Sequence, residues 1–153
     1  MIAALPKPVH SLKWEVAALA YWLFKSEPGS WSWDDQVKAG KAGTEWTGVR
    51  NYTAQANMKA MKKGDQGFFY HSGEGKEIVG IVTVTKEAHP ESGDEDWSCV
   101  TLAAVKPVPK PVTLAAIKAD KRFAAMALVK YSRLSVQPVT DSEWKAVLKM
   151  AGL

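Results

Sequence analysis

Cysteine is almost missing from this chain. Cys99 is the single one in 153 residues, which excludes an internal disulfide and a metal site built on several cysteines. Its strand-like surroundings predict a buried, inert thiol, and a reduced, cytoplasmic setting is expected. Histidine is scarce as well. His10, His71 and His89 lie far apart without a partner at a helical ligand spacing, so no metal site is expected, and His89, just before Pro90, reads as a loop residue. Phosphate-binding glycine loops are absent: Gly73-Glu74-Gly75-Lys76 lacks the required spacing, and no Gly-x-Gly-x-x-Gly opens a helix. No Gly-x-Ser-x-Gly elbow supports a hydrolytic triad. No run approaches the roughly 18 apolar residues of a membrane helix, so no membrane partner is expected. Val16–Phe24 is apolar and follows Lys7 and Lys13, but Glu15 precedes it and no small-x-small cleavage site follows before Lys25, which argues against secretion. Internal repeats and low-complexity segments are also absent.

Charge is unevenly spread. Residues 1–102 carry 11 Lys/Arg against 13 Asp/Glu, whereas residues 103–153 carry 9 against 3. The basic C-terminal third suits an anionic partner such as nucleic acid, and equally suits simple solubility. The length suggests one domain with room for a real core.

Along the chain, residues 1–20 read as an N-terminal extension, either disordered or a short helix, and residues 21–153 as the domain. Tyr21–Lys25 is expected as a first strand, and Ser32-Trp33-Asp34-Asp35 as a capping box opening a short helix. A helix is expected from Asn51 to Lys63, then a buried strand Gln66–His71, a hairpin loop, and a central strand Glu77–Lys86. His89–Asp96 reads as an acidic loop, Trp97–Val105 as a strand, and the proline run Lys106–Pro111 as extended chain outside any central strand. Thr113–Ala119 and Phe123–Val129 read as short helices, Ser132–Val136 as a strand, and Thr140-Asp141-Ser142-Glu143 as the capping box of a last amphipathic helix. This irregular alternation predicts an α+β fold, a small curved sheet or barrel wrapped by helices.

The densest chemistry lies in Trp46-Thr47-Gly48-Val49-Arg50-Asn51-Tyr52. An indole, a guanidinium and a capping amide meet just before a helix N-terminus, where bare N–H groups favour an electron-rich ligand. Trp22 and Tyr70 add aromatic faces, Lys25 and Arg133 add cations, and Ser26, His71, Ser72 and Ser132 add hydrogen-bonding groups at strand ends or beside them. That mixture suits a planar heterocycle such as a nucleobase turned out of its stack. Each residue also has a structural reading: Trp22 as core, His71 as a partner for a backbone group.

Five blocks carry a family resemblance. Tyr21–Pro28, Trp46–Tyr52, Phe68–Ser72, Ile78–Ile81, and Met126–Val129 with Arg133–Val139 together resemble the EVE domain family, in order, from residue 21 to about 150. The resemblance implies a PUA-like mixed β pseudo-barrel wrapped by short helices, related to YTH and ASCH domains, and a non-catalytic role in binding a modified base in DNA or RNA. It puts Trp22, Lys25, Ser26, Trp46, Val49, Arg50, Asn51, Tyr70, His71, Ser72, Ser132, Arg133 and Leu134 on the pocket wall. Within that set Trp46 is expected to stack on the ligand, Arg50 to hold a phosphate or a ring edge, and Ser26 or Asn51 to read polar edge atoms. A monomer without cofactor is expected. The alternatives are a small-molecule or nucleotide sensor using the same pocket, and an enzyme acting on a modified base with His71 as acid/base.

Overall fold

The computed structural model describes residues 19–153; of the N-terminal extension only Leu19 and Ala20 are described, and the part of the apolar run Val16–Phe24 before Leu19 lies outside the described residues. Six strands form one mixed sheet: β1 (Tyr21–Ser26), β2 (Thr44–Glu45), β3 (Gln66–His71), β4 (Glu77–Glu91), β5 (Asp94–Thr113) and β6 (Val136–Val139), in the order β2-β5-β4-β3-β1-β6. β1 runs parallel to β3 and antiparallel to β6, and the other pairings are antiparallel. Five short helices surround it: α1 (Trp33–Lys38), α2 (Tyr52–Ala60), α3 (Leu114–Lys118), α4 (Ala127–Lys130) and α5 (Asp141–Met150). None is long and apolar enough to cross a membrane.

Strand residues alternate between two cores because successive side chains point to opposite faces. Leu23, Phe68, Tyr70, Ile78 and Ile81 meet Ile117, Leu128, Trp144 and Val147 of the C-terminal helices on one face. Trp22, Phe24, Phe69, Val82 and Val84 meet Trp33 of α1 and Ala54 and Met58 of α2 on the other. Both capping boxes form, at Ser32 and at Thr140. Asn51 caps α2, its Oδ1 accepting the Ala54 N–H at 2.9 Å. Gly80 leaves the space that the Trp33 ring fills; a Cβ there would fall on the ring carbons.

Several boundaries differ from the sequence expectation. The helix ends at Ala60 because Met61 is already extended. The acidic segment His89–Asp96 is no loop: β4 continues to Glu91, β5 starts at Asp94, and only Ser92 and Gly93 turn. His89 therefore lies in a strand, opposite Cys99. Lys106–Pro111 belongs to β5; Lys106 and Pro107 pair with Ile81 and Gly80 of β4, and the register then shifts so that pairing resumes between Val112 and Ile78. Prolines are tolerated there because β2 covers the other side of β5 only at Thr101 and Leu102. Phe123–Val129 is broken into a 3₁₀ turn (Lys121–Phe123) and α4, since Phe123, Met126 and Leu128 all enter one core at spacings no single helix supplies. Ser132–Ser135 precedes β6 and is not strand; Gln137 Nε2 holds this segment by donating to the carbonyls of Leu134 (2.9 Å) and Tyr131 (3.1 Å).

Candidate functional site

A cavity of about 520 Å³ opens between the end of β1, the turn before α1, and the loop that leaves β2. Lys25, Ser26, Glu27, Ser30, Trp31, Thr44, Glu45, Trp46, Thr47, Gly48, Val49, Arg50 and Ser135 line it. Two indoles border this space and differ in their exposure. Trp46 is 8% exposed and packs edge-on against Phe24 (5.6 Å) and Phe69 (5.7 Å). It is chiefly a core residue that also reaches the cavity. Trp31 is half-buried, and its Nε1–H donates to Gln36 Oε1 at 2.9 Å. Gln36 is fully buried and donates from Nε2 to the Leu102 carbonyl at 3.0 Å, so the Trp31 plane is fixed through α1 to the sheet. The Ser26 hydroxyl donates to the Trp31 carbonyl and holds the same turn from the other side.

Arg50 does not project as a free cation. Its Nη2 lies 2.7 Å from Glu91 Oε2 and 3.3 Å from Asp94, and Nη1 lies 3.2 Å from Glu91 Oε1. Glu91 is buried and also accepts the Gly48 N–H at 2.9 Å. These donors hold the Glu91 carboxyl below the usual range, Arg50 first, and Glu91 raises Arg50 in turn. Gly48 has φ 82°, a left-handed turn that suits glycine and aims its N–H at Glu91. The guanidinium also lies 4.9 Å over the Trp97 ring, which stacks on the exposed Tyr52. The expected phosphate ligand is thus already engaged: Arg50 ties the cavity loop to the β4–β5 hairpin. The remaining cation, Lys25, donates from Nζ to the Ser132 carbonyl at 2.8 Å, and burial lowers its pKa. With Glu27 and Glu45 also on the wall, the cavity interior is polar and not strongly positive.

The other expected residues are distributed around this space. Asn51, Ser132, Arg133 and Leu134 line a neighbouring cavity of about 650 Å³, bounded also by Asn57 and Tyr131. Arg50 and Ser135 line the first cavity, and their chain neighbours Asn51 and Leu134 line the second. Asn51 Oδ1 is committed to its helix cap. Tyr70 and Ser72, with Lys25 and Ser132, border a third cavity of about 300 Å³; Tyr70 is a core residue, its hydroxyl pKa raised by burial. Trp22 and His71 line none of the three. The Trp22 Nε1–H donates to the buried Asp65 at 3.0 Å, which also accepts the Lys62 N–H. His71 Nε2 accepts the Trp33 N–H at 3.0 Å, and burial lowers its pKa. In both residues the structural reading describes what the side chain touches.

Sequence reading missed Trp31, Gln36, Glu91 and Ser135. A signal for the first two was present: around the Ser32 cap they occupy N′ and N4, the pair that a hydrophobic staple uses, here replaced by a hydrogen bond. No local signal marks Glu91, whose role depends on a partner 41 positions away.

The six-stranded mixed sheet wrapped by short helices is a PUA-like fold with an aromatic-walled cavity beside its first strand. The model of the EVE domain family matches residues 20–150, and the chain belongs to that family. A crystal structure of a protein from Agrobacterium tumefaciens is 54% identical, with a TM-score of 0.86 over 88% of this chain and 94% of that one. Human thymocyte nuclear protein 1 is 33% identical over 165 residues, covering 86% of this chain and 73% of its own length. The human protein has been solved in complex with DNA containing 5-methylcytosine, at 30% identity and a TM-score of 0.79 over 88% of this chain and 98% of that chain.

Proposed function

We propose that this chain is a non-catalytic reader that takes a modified base of nucleic acid into the cavity between Trp31 and Trp46. The observation that carries this reading is the fixed Trp31 plane on a cavity of about 520 Å³ whose walls are polar but nearly charge-balanced. A neutral heterocycle fits such a space; a phosphate group would meet Glu27 and Glu45 and a guanidinium already paired. Trp31 supplies the stacking face, and Ser26, Ser30, Thr47 and Ser135 offer edge hydrogen bonds. Trp46 supports the wall from the core. The complex of human thymocyte nuclear protein 1 with 5-methylcytosine DNA makes that base in DNA the first ligand to test.

The experiment is a binding titration with matched oligonucleotides carrying cytosine or 5-methylcytosine in DNA, and N6-methyladenosine in RNA, at two salt concentrations. The modified DNA should bind more tightly than the plain one. Trp31→Ala should weaken it by about 5- to 150-fold, the loss expected when one base loses an aromatic partner worth about 1–3 kcal/mol. Affinity should fall as salt rises, because phosphate contacts release counterions. Equal affinity for all oligonucleotides, unchanged in the variant, refutes the reading. The small-molecule alternative predicts no salt slope. An enzymatic role for His71 is disfavoured by its geometry, since the Trp33 N–H already occupies Nε2.

A further inference from the structure

Three adjacent strands converge on one point beside the cavity. Glu45 ends β2, which pairs with β5 at Thr101; Cys99 lies on β5; His89 lies on β4 directly across from Cys99. Their ligand-capable atoms all lie within 4.8 Å of one another. His89 Nε2 is 3.3 Å from Glu45 Oε2 and 3.4 Å from Cys99 Sγ.

The tautomer of His89 follows from its other nitrogen. Nδ1 lies 2.8 Å from the Glu87 carbonyl oxygen, which can only accept, so Nδ1 carries a proton. In the neutral ring Nε2 then presents a lone pair. The Cys99 thiol can donate to that lone pair, and Glu45 Oε2 accepts from the Ser92 hydroxyl, so three ligand-capable atoms face one point with their lone pairs directed at it or beside it. A cation at the common centre satisfies all three groups. Around a tetrahedral zinc ion, N–O and N–S ligand atoms stand about 3.4–3.6 Å apart, from bond lengths of about 2.0–2.3 Å. The observed 3.3 and 3.4 Å are already close to that spacing.

We propose that Glu45, His89 and Cys99 bind one divalent transition-metal ion, zinc first, leaving a fourth position for water. Thiolate and imidazole favour zinc over magnesium or calcium, which prefer all-oxygen shells. One thiolate and one carboxylate neutralise the dication, and the proton displaced from the thiol passes to solvent. The outer contacts are present: the Glu87 carbonyl orients His89, and the Ser92 hydroxyl lies 3.1 Å from Glu45 Oε2. The ion ties β2 to the β4–β5 hairpin one residue before Trp46, so it stiffens the loop that walls the cavity. This site stands on its own geometry and does not depend on the base-reading role.

The test uses the full chain, stripped with a chelator and titrated with zinc against a chromophoric competitor, and in parallel with cobalt(II). One equivalent of zinc should bind and raise the melting temperature, and cobalt should show a sulfur-to-metal charge-transfer band. Cys99→Ser should lose that band and His89→Ala should lose tight binding, while His10→Ala and His71→Ala should keep both. Glu45 is a third exposed, so Glu45→Gln preserves the fold; it should weaken zinc by tenfold or more. Absence of stoichiometric binding, a cobalt spectrum without the sulfur band, or unaltered binding in Glu45→Gln overturns the site.

Discussion

Replacing Trp46 by alanine separates the two indoles of the cavity. Trp46 is 8% exposed and sits edge-to-face with Phe24 and Phe69, both fully buried. Truncating a buried tryptophan costs about 3–5 kcal/mol through lost burial and the void it leaves. The two aromatic contacts place this site toward the upper end, since each such pair adds about 0.5–1.5 kcal/mol beyond its area. For a chain of this length each kcal/mol moves the melting temperature by about 2–4 °C, so a fall of about 6–20 °C is expected. The assay is urea and thermal unfolding of the wild type, Trp46→Ala and Trp31→Ala side by side. Trp31 is half-buried and borders solvent, so its truncation should lower the midpoint far less. The reasoning fails if Trp46→Ala melts within about 2 °C of the wild type.

Two further perturbations test the supports behind the cavity. Gly80→Ala drives a methyl into the Trp33 ring, an overpacking expected to cost about 1–3 kcal/mol and to be read as a lowered urea midpoint; an unshifted midpoint would show that α1 slides freely on the sheet. Burial places the folded pKa of His71 below its ordinary 6.5, with Glu77 and Asp34 opposing weakly. The fold therefore favours the neutral ring, and this contribution is complete above pH 6.5 and is lost as pH falls through the folded value. Unfolding midpoints measured on either side of that range should drop less steeply with acid in His71→Gln than in the wild type, and equal slopes would rule the group out.

How much was legible follows from the range over which each signal acts. Caps are local: Ser32, Asn51 and Thr140 could each be read with the few residues that follow them, and all three form. The central strands were legible because Gln66–His71 is a short apolar run and Glu77–Lys86 alternates between two apolar faces, both marks of strands buried on each side. The acidic hairpin misled because composition resembled a loop, whereas pairing of β4 with β5 carries strand geometry through to Glu91. The same misreading hid the approach of His89 to Cys99. In the site, clustering of residue types points to segments that border the cavities, but it does not say where each side chain is spent. Arg50 is taken by Glu91, Trp22 by Asp65 and His71 by the Trp33 amide. Those are contacts over 38 to 43 positions, and nothing in a local pattern encodes them.

The surroundings of the cavity are electrically lopsided, and on the proposed reading this sets how a strand approaches. On the side that Arg50 faces, the hairpin carries Glu91, Asp94, Glu95 and Asp96, and Arg50 cancels only part of that charge. On the side of Ser135, the chain offers Lys130 and Arg133 without a carboxylate among the residues lining the adjacent cavity. A phosphate backbone is repelled by the first side and attracted by the second. On the proposed reading the base would enter from the direction of the Tyr131–Leu134 loop, and its phosphates would stay outside on the basic C-terminal third. Selectivity and attachment would then be divided between two places: the polar cavity would discriminate the heterocycle, and the cationic rim would supply affinity that is blind to sequence.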